Sequence, residues 1–325
     1  MSHSSTEPKP AHRFAVIGGD GRMTHLAERL TEEGYPVSLL GCGGDCLPLH
    51  QGAGDLRVCT TLAKAIENAT ALILPLPATR DGMTVSTPRD PSCRVTLDEI
   101  MALWEKHPTM ILFGGKLPQS LKEGKSHPVL DYYDFPVLQL RNAYITAEAA
   151  MMTAMELTDR TLRGTPVAVL GYGRIGKYLA RLLRAVGAEV TVCARRQESL
   201  FEAASEGCRP LLISNDPTRN QLTALSQGYP VLFNTVPVHL LSLSILERLD
   251  RECLFIDLAS APFGISDEDV RAVTAKNGLR YLRAPSLPGS YAPRDAGRII
   301  AECILQAVAD MDSEQTQQGK EGAPL

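Results

Sequence analysis

The sequence predicts an α/β protein of two βα domains, joined by a long helix and closed by a C-terminal helix that packs back. Three observations carry this. Short apolar runs alternate with helix-period stripes along most of the 325 residues. Two glycine turns, IGGDGR at 17–22 and LGYGRIG at 170–176, each open such a series. Between the two series, residues 146–162 repeat apolar side chains at three- and four-residue steps with no Gly or Pro. Apolar strands alternating with helices are what a parallel sheet covered on both faces requires.

The first series begins with an apolar strand at 14–17. Gly18, Gly19 and Gly21 make its turn; Leu26, Ala27 and Leu30 form a helical stripe; Gly34 stops the helix and 37–40 is the next strand. TLAKAIENA then ALILPLP, and TLDEIMALWEKH then MILFGG, continue the alternation. After Gly164 and Pro166, six runs read as strands: VAVL, VTVCA, PLLI, VLFNTV, CLFIDLA and LRYL. A last helix runs from Ala296 to about Ala309. The expected boundaries are 12–142 for the first domain, 143–163 for the linking helix, 164–288 for the second domain, 289–312 for the C-terminal helix and 313–325 for a polar, disordered tail.

Composition narrows the function classes. With 44% hydrophobic and 22% charged residues and a formal net charge of −4, neither nucleic acid nor a membrane surface is the expected partner. No apolar run reaches the ~18 residues of a membrane-spanning helix, and MSHSSTEPKPAHR lacks the apolar core of a signal peptide. The expected location is the cytoplasm. Cys59, Cys193, Cys208, Cys253 and Cys303 lie in apolar or helical segments and read as buried thiols. Cys42, Cys46 and His50 share a Gly-rich loop, but three ligands without a fourth do not make a structural zinc site, and no metal is expected.

Gly171, Gly173 and Gly176 fit G-x-G-x-x-G, follow a strand and open a helix, the context a Rossmann dinucleotide site requires. Tyr172, Arg174 and Ile175 fill the turn. The first glycine permits the tight turn, the second lets backbone approach a pyrophosphate, and the third lets helix and strand pack closely; the helix N-terminus then faces the phosphates. At the end of the second strand, where an acid would bind a ribose 2′-hydroxyl, stand Arg195 and Arg196. Arginine pairs with a 2′-phosphate, so NADP is favoured over NAD; the alternative is two solvated arginines and NAD held by other contacts. Asn234, Thr235, Val236 and Pro237 sit at one strand end and Asp257, Leu258 and Ala259 at the next, where such sheets bind ligands.

AVIGGDGR, NAYITAEAA, the whole stretch VAVLGYGRIGKYLARLLRAVGAEVTVCARR, NTVP, DLASAPFG and LPGSYAPRDAGRII together resemble the A-type subunits of dipicolinate synthase over most of residues 14–310. GGDGR together with GGKLP is the most specific part. The Rossmann half alone is also similar to D-2-hydroxyacid dehydrogenases, S-adenosylhomocysteine hydrolase and methylene-tetrahydrofolate dehydrogenases. The loops GCGGDCLPLHQGAG and TRDGMTVSTPRDPSC match no motif.

The resemblance implies an N-terminal dipicolinate-synthase domain followed by a Rossmann domain. It further implies an oxidoreductase that forms dipicolinate, the endospore Ca²⁺ chelator, from a dihydro- or 4-hydroxy-tetrahydro-dipicolinate of the lysine pathway. The implied partner is the flavoprotein-like B-type subunit of dipicolinate synthase, and a homodimer is the default self-association. Such chemistry needs carboxylate recognition and a base. Lys116, Asn142, Tyr144 and Glu148 are the candidate catalytic residues; Arg22, Thr79, Arg80 and Ser290 are the candidate substrate contacts. Each has a plainer reading: Lys116 as a solvated lysine, Asn142 as a helix cap, Arg22 and Arg80 in Asp–Arg surface pairs, Ser290 as an ordinary loop residue. Two alternatives remain. One is a nucleotide-binding protein without chemistry of its own that supports its flavoprotein partner. The other is a D-2-hydroxyacid dehydrogenase-like enzyme, which would need an Arg after DLAS and a late His, and no His follows His239.

Overall fold

The computed structural model describes residues 12–43, 55–123, 127–216, 218–226 and 228–321. Chain contacts divide it into two compact units, 1–141 with 292–325, and 142–291. Cys46 and His50 fall outside the described residues, and among those described no group of three or more His, Cys, Asp or Glu side chains could hold a metal. Also among them, no helix is long and apolar enough to cross a membrane.

The first unit runs β1 (Phe14–Ile17), α1 (Gly21–Glu32), β2 (Val37–Leu40), β3 (Leu56–Val58), α2 (Leu62–Ile66), β4 (Ala71–Ile73), α3 (Leu97–Trp104), β5 (Ile111–Gly114), α4 (Gln119–Lys122) and β6 (Val129–Asp131). All six strands are parallel, in the order β3-β2-β1-β4-β5-β6. Local chemistry sets the helix starts. Asp20 caps α1 by accepting from the Arg22 N–H, and Thr96 and Glu99 form a reciprocal capping box on α3. Beneath the sheet, Trp104 is wholly buried and donates its indole N–H to the Met110 carbonyl at 2.8 Å.

α5 (Pro136–Leu157) leads to the second unit: β7 (Pro166–Leu170), α6 (Arg174–Ala185), β8 (Glu189–Ala194), α7 (Gln197–Ser205), β9 (Arg209–Leu212), β10 (Val231–Asn234), α8 (Leu243–Leu246), β11 (Leu254–Asp257), α9 (Asp267–Asn277), β12 (Arg280–Arg283) and α10 (Leu287–Tyr291). Its sheet, β12-β11-β10-β7-β8-β9, repeats the first unit's order, again all parallel. Strand period decides the packing. Val167 and Val169 of β7 join the cluster under α6, with Leu179, Ala180 and Leu183, while Ala168 and Leu170 join the cluster under α8 and α9.

α11 (Pro293–Glu321) returns to the first unit and packs along α1. The two backbones come so close that a Cβ on Gly297 would collide with the Arg22 carbonyl oxygen. Arg298 adds an ion pair to Glu32 at 2.9 Å.

Three expectations are corrected. The linking helix starts at Pro136 instead of 143, because proline suits the first helical position, where its missing N–H is no loss; it ends at Leu157 instead of 163. The C-terminal helix continues to Glu321, through the stretch expected to be a disordered tail, because its Glu, Gln and Lys residues are good helix formers. β3 and β6 were not foreseen: each has three residues, and β3 is an edge strand with no apolar run.

The unmatched loop TRDGMTVSTPRDPSC now has a place. It turns back over the first glycine turn: Thr79 bridges Val85 antiparallel, Ser86 N–H donates to Ala78, and the Ser86 carbonyl accepts the Gly19 N–H at 2.7 Å. Removing the buried indole under this sheet, Trp104→Ala, is expected to cost about 3–5 kcal/mol, read as a lower urea midpoint with unchanged slope.

Candidate functional site

The second glycine turn joins β7 to α6, beside the end of β10. Gly171 has φ +97°, open to glycine and strained for other residues, and a Cβ there would strike the Thr235 hydroxyl. A Cβ on Gly176 would collide with the Gly171 carbonyl oxygen. Gly173 meets nothing within 4 Å. It is the N-cap of α6 and offers no side chain to the first-turn N–H groups, which are left for a ligand. This is a cradle that side chains would fill, and it fits a pyrophosphate.

Eight of the residues singled out in the sequence, Gly171, Tyr172, Gly173, Arg195, Arg196, Thr235, Val236 and Pro237, line one cavity of about 480 Å³. Ala194, Ser199, Ile213 and Leu240 complete it. Those four escaped sequence reading: three are apolar, and Ser199 lies two residues into a helix of ordinary polar composition. Arg174, Ile175 and Gly176 start α6 and do not line the cavity. Arg195 and Arg196 are exposed and make no ion pair with any described residue.

Asn234 and Asp257, at the ends of β10 and β11, are fully buried and turned toward each other instead of toward the cavity. Asn234 Nδ2 donates to Asp257 Oδ1 at 2.9 Å and to the Val236 carbonyl, while its Oδ1 accepts the Val236 N–H. Asp257 also accepts from the N–H groups of Ala259 and Gly264 and, at 2.6 Å, from the Tyr281 hydroxyl. Burial first, then the bond to Asp257, pushes the Tyr281 phenol above its ordinary range, so it remains the donor. This network pins the loop carrying Thr235 and Val236. Leu258 and Ala259 are buried beside it.

Tyr172 is anchored from behind the cavity. Its hydroxyl donates to Glu206 at 3.1 Å, and Lys177, paired with Glu202 at 2.7 Å, lies over its ring. Burial and then the Glu206 bond raise the phenol's pKa, while the Arg181 guanidinium holds Glu206 below the usual carboxylate range despite burial.

The remaining candidates divide between the units. In the first, Arg22 is buried and spent: it grips Asp20 through two bonds of 2.8 and 2.7 Å and donates to the Leu76 carbonyl. Burial pushes the Asp20 carboxyl up, but Arg22 and the nearby Arg80 charge outweigh it and hold the carboxyl below its ordinary range. The expected surface pair is therefore a partly buried clamp on the glycine turn. Thr79 donates to Asp81, which also gathers Thr84 and the Met83 N–H. Arg80 is exposed. Lys116 is exposed too, with its ammonium 4.8 Å from the Tyr133 ring centre and its N–H on Asp131. In the second unit, Asn142 lies inside α5, not at its cap. Tyr144 stacks edge-on with Tyr178, Glu148 is half-buried, and the Ser290 hydroxyl donates to the Leu287 carbonyl.

Comparison with known proteins matches both halves. Residues 13–135 match the N-terminal domain of the A-type subunit of dipicolinate synthase, and 138–260 match the NAD binding domain of the D-isomer specific 2-hydroxyacid dehydrogenases. The A-type dipicolinate synthase subunit of Bacillus subtilis is 28% identical over 311 residues, covering 93% of this chain and 98% of that one. The chain is a relative of the A-type dipicolinate synthase subunits. The crystal structure of the corresponding protein from Bacillus halodurans superposes with a TM-score of 0.78 at 27% identity, covering 93% of this chain and 99% of its own. D-lactate dehydrogenase from Escherichia coli, 12% identical with a TM-score of 0.61 over 93% of this chain and 97% of its own, shares the fold. The chain is thus dehydrogenase-like, with a nicotinamide-dinucleotide-binding second domain, and its similarity to one subunit of a synthase implies a partner subunit.

Asp257→Ala would leave Asn234, Tyr281 and two backbone N–H groups without their acceptor. The expected loss is about 2–5 kcal/mol of stability, with weaker dinucleotide binding as the 235–237 loop loosens; chemical denaturation and a dinucleotide titration of the same variant measure both.

Proposed function

We propose that this chain is the oxidoreductase subunit that forms dipicolinate, with NADP as hydride acceptor. The substrate is dihydrodipicolinate, or 4-hydroxy-tetrahydrodipicolinate after loss of water. One observation carries the reading: a chain similar along its length to the A-type dipicolinate synthase subunits has Arg195 and Arg196 on the rim of its nucleotide cavity, where an NAD site would carry an acid. The setting is the cytoplasm of a sporulating cell, on the lysine pathway, with the flavoprotein-like B-type subunit as partner and a homodimer as the self-association.

Oxidation of the dihydro compound removes two electrons. When bound, the nicotinamide takes the hydride, one proton leaves, and the ring becomes aromatic. Aromaticity supplies driving force, so the chain's residues mainly hold carboxylates, orient the ring and accept one proton. Arg80 is exposed and is the carboxylate contact of the first unit, with Thr79 ordering its loop; Arg22 holds the turn. Glu148 is half-buried and without an ion pair among the described residues, and we assign it the proton. Asn142 and Tyr144 share its helix, Ser290 is a further substrate contact, and Lys116 has the weaker claim because its ammonium sits over Tyr133.

The purified chain, alone and with its flavoprotein-like partner, is expected to form NADPH and dipicolinate in equal amounts from freshly made substrate. No product in either case refutes the proposal; product only with the partner moves the chemistry to the complex. Glu148→Gln should abolish turnover with NADP⁺ affinity unchanged. Arg195→Ala should weaken NADP⁺ roughly tenfold or more, by loss of a charged contact, and spare NAD⁺; an equal loss for both contradicts the 2′-phosphate assignment.

A further inference from the structure

We infer that Ser199 is the specificity-determining residue that reads the 2′-phosphate of the dinucleotide, in an anion pocket shared with Arg195 and the first turn of α7. The inference rests on the NADP reading above. Two independent observations support it. First, α7 has nine residues and its N-cap is Arg196, whose side chain makes no cap hydrogen bond, so the first-turn N–H groups are left for another acceptor. Second, Ser199 is only 5% exposed, lines the cavity beside Arg195 and Arg196, and has no hydrogen-bond partner among the described residues. Among the described residues its Oγ is not one of the unpaired polar atoms sealed from solvent, so this hydroxyl is open to the cavity the residue lines and can donate to a ligand there.

The ligand that completes this pocket is an anion. Arg195 and Arg196 bring two positive charges to the same rim, and Glu198, the acid of that turn, is exposed and does not line the cavity. A phosphate monoester on the adenosine ribose offers several acceptor oxygens and close to two negative charges. It would take the Ser199 O–H, an α7 N–H and a guanidinium together. A bare ribose hydroxyl could use the serine but would leave both arginines uncompensated. Ile213 and Leu240 give the same cavity an apolar wall suited to the purine.

The test is calorimetric titration of wild type, Ser199→Ala and Ser199→Asp with NADP⁺, NAD⁺ and adenosine 2′-monophosphate. Ser199→Ala should weaken NADP⁺ and adenosine 2′-monophosphate roughly tenfold, as loss of a hydrogen bond to a charged group does, and leave NAD⁺ unchanged. Ser199→Asp should abolish the preference for NADP⁺. If wild type prefers NADP⁺ and Ser199→Ala keeps that preference, or weakens NAD⁺ equally, this inference alone is overturned. If wild type shows no preference for NADP⁺ and fails to bind adenosine 2′-monophosphate, the NADP reading falls with it.

Discussion

The second domain depends on how little room two backbones leave each other. Where β7 turns into α6, the Gly171 carbonyl occupies the place a Cβ on Gly176 would need, and Thr235 closes on Gly171 from β10. Only a chain without side chains at those points can bring the start of α6 this near the strand ends. Everything around the cavity follows: the uncapped first turn of α6, the loop 235–237 held against the turn, and the arginines that β8 delivers at its end. Thr235 is tied into this contact by donating its hydroxyl to the Leu170 carbonyl at 2.9 Å.

Polar groups behind the cavity set its shape without lining most of it. Asn234 and Asp257, fully buried at the ends of β10 and β11, and the half-buried Tyr281 of β12 form a hydrogen-bonded row. Arg283 extends it outward, stacked 4.3 Å from the Phe263 ring centre and paired with Asp267 at 2.6 Å. Tyr172 is held in the same way by Glu206, Arg181 and Lys177. Thus residues bonded to one another support the few whose donors stay available.

Much of this was legible in the sequence. The six strands of the second sheet announced themselves as apolar runs, and the turn by its spacing of glycines, because both signals are local. What stayed hidden was set by tertiary partners. NTVP and DLAS were correctly read as strand ends, yet no local pattern tells that Asn234 and Asp257 spend their polar atoms on each other. For Arg22 the pairing with Asp20 is one of the two readings its sequence allows, but burial of the pair and the bond to the distant Leu76 carbonyl have no local signal. Ser199 carries no local signal: nothing in QESLFEAAS marks it, and the packing of its helix on β8 buries it. The start of α5 had a visible signal in Pro136 that the later apolar stripe outweighed.

The two sheets share one strand order, so by topology the chain has two crevices of the kind that bind nucleotides. In the first unit the chain itself is the occupant. The carbonyl of Ser86 takes the Gly19 N–H that a phosphate oxygen would otherwise accept, and the clamp of Arg22 on Asp20 consumes the neighbouring charge. The same strand order thus yields an open cradle in the second sheet and, in the first, a glycine turn whose donors the chain's own Ser86 carbonyl and Asp20 carboxylate already hold.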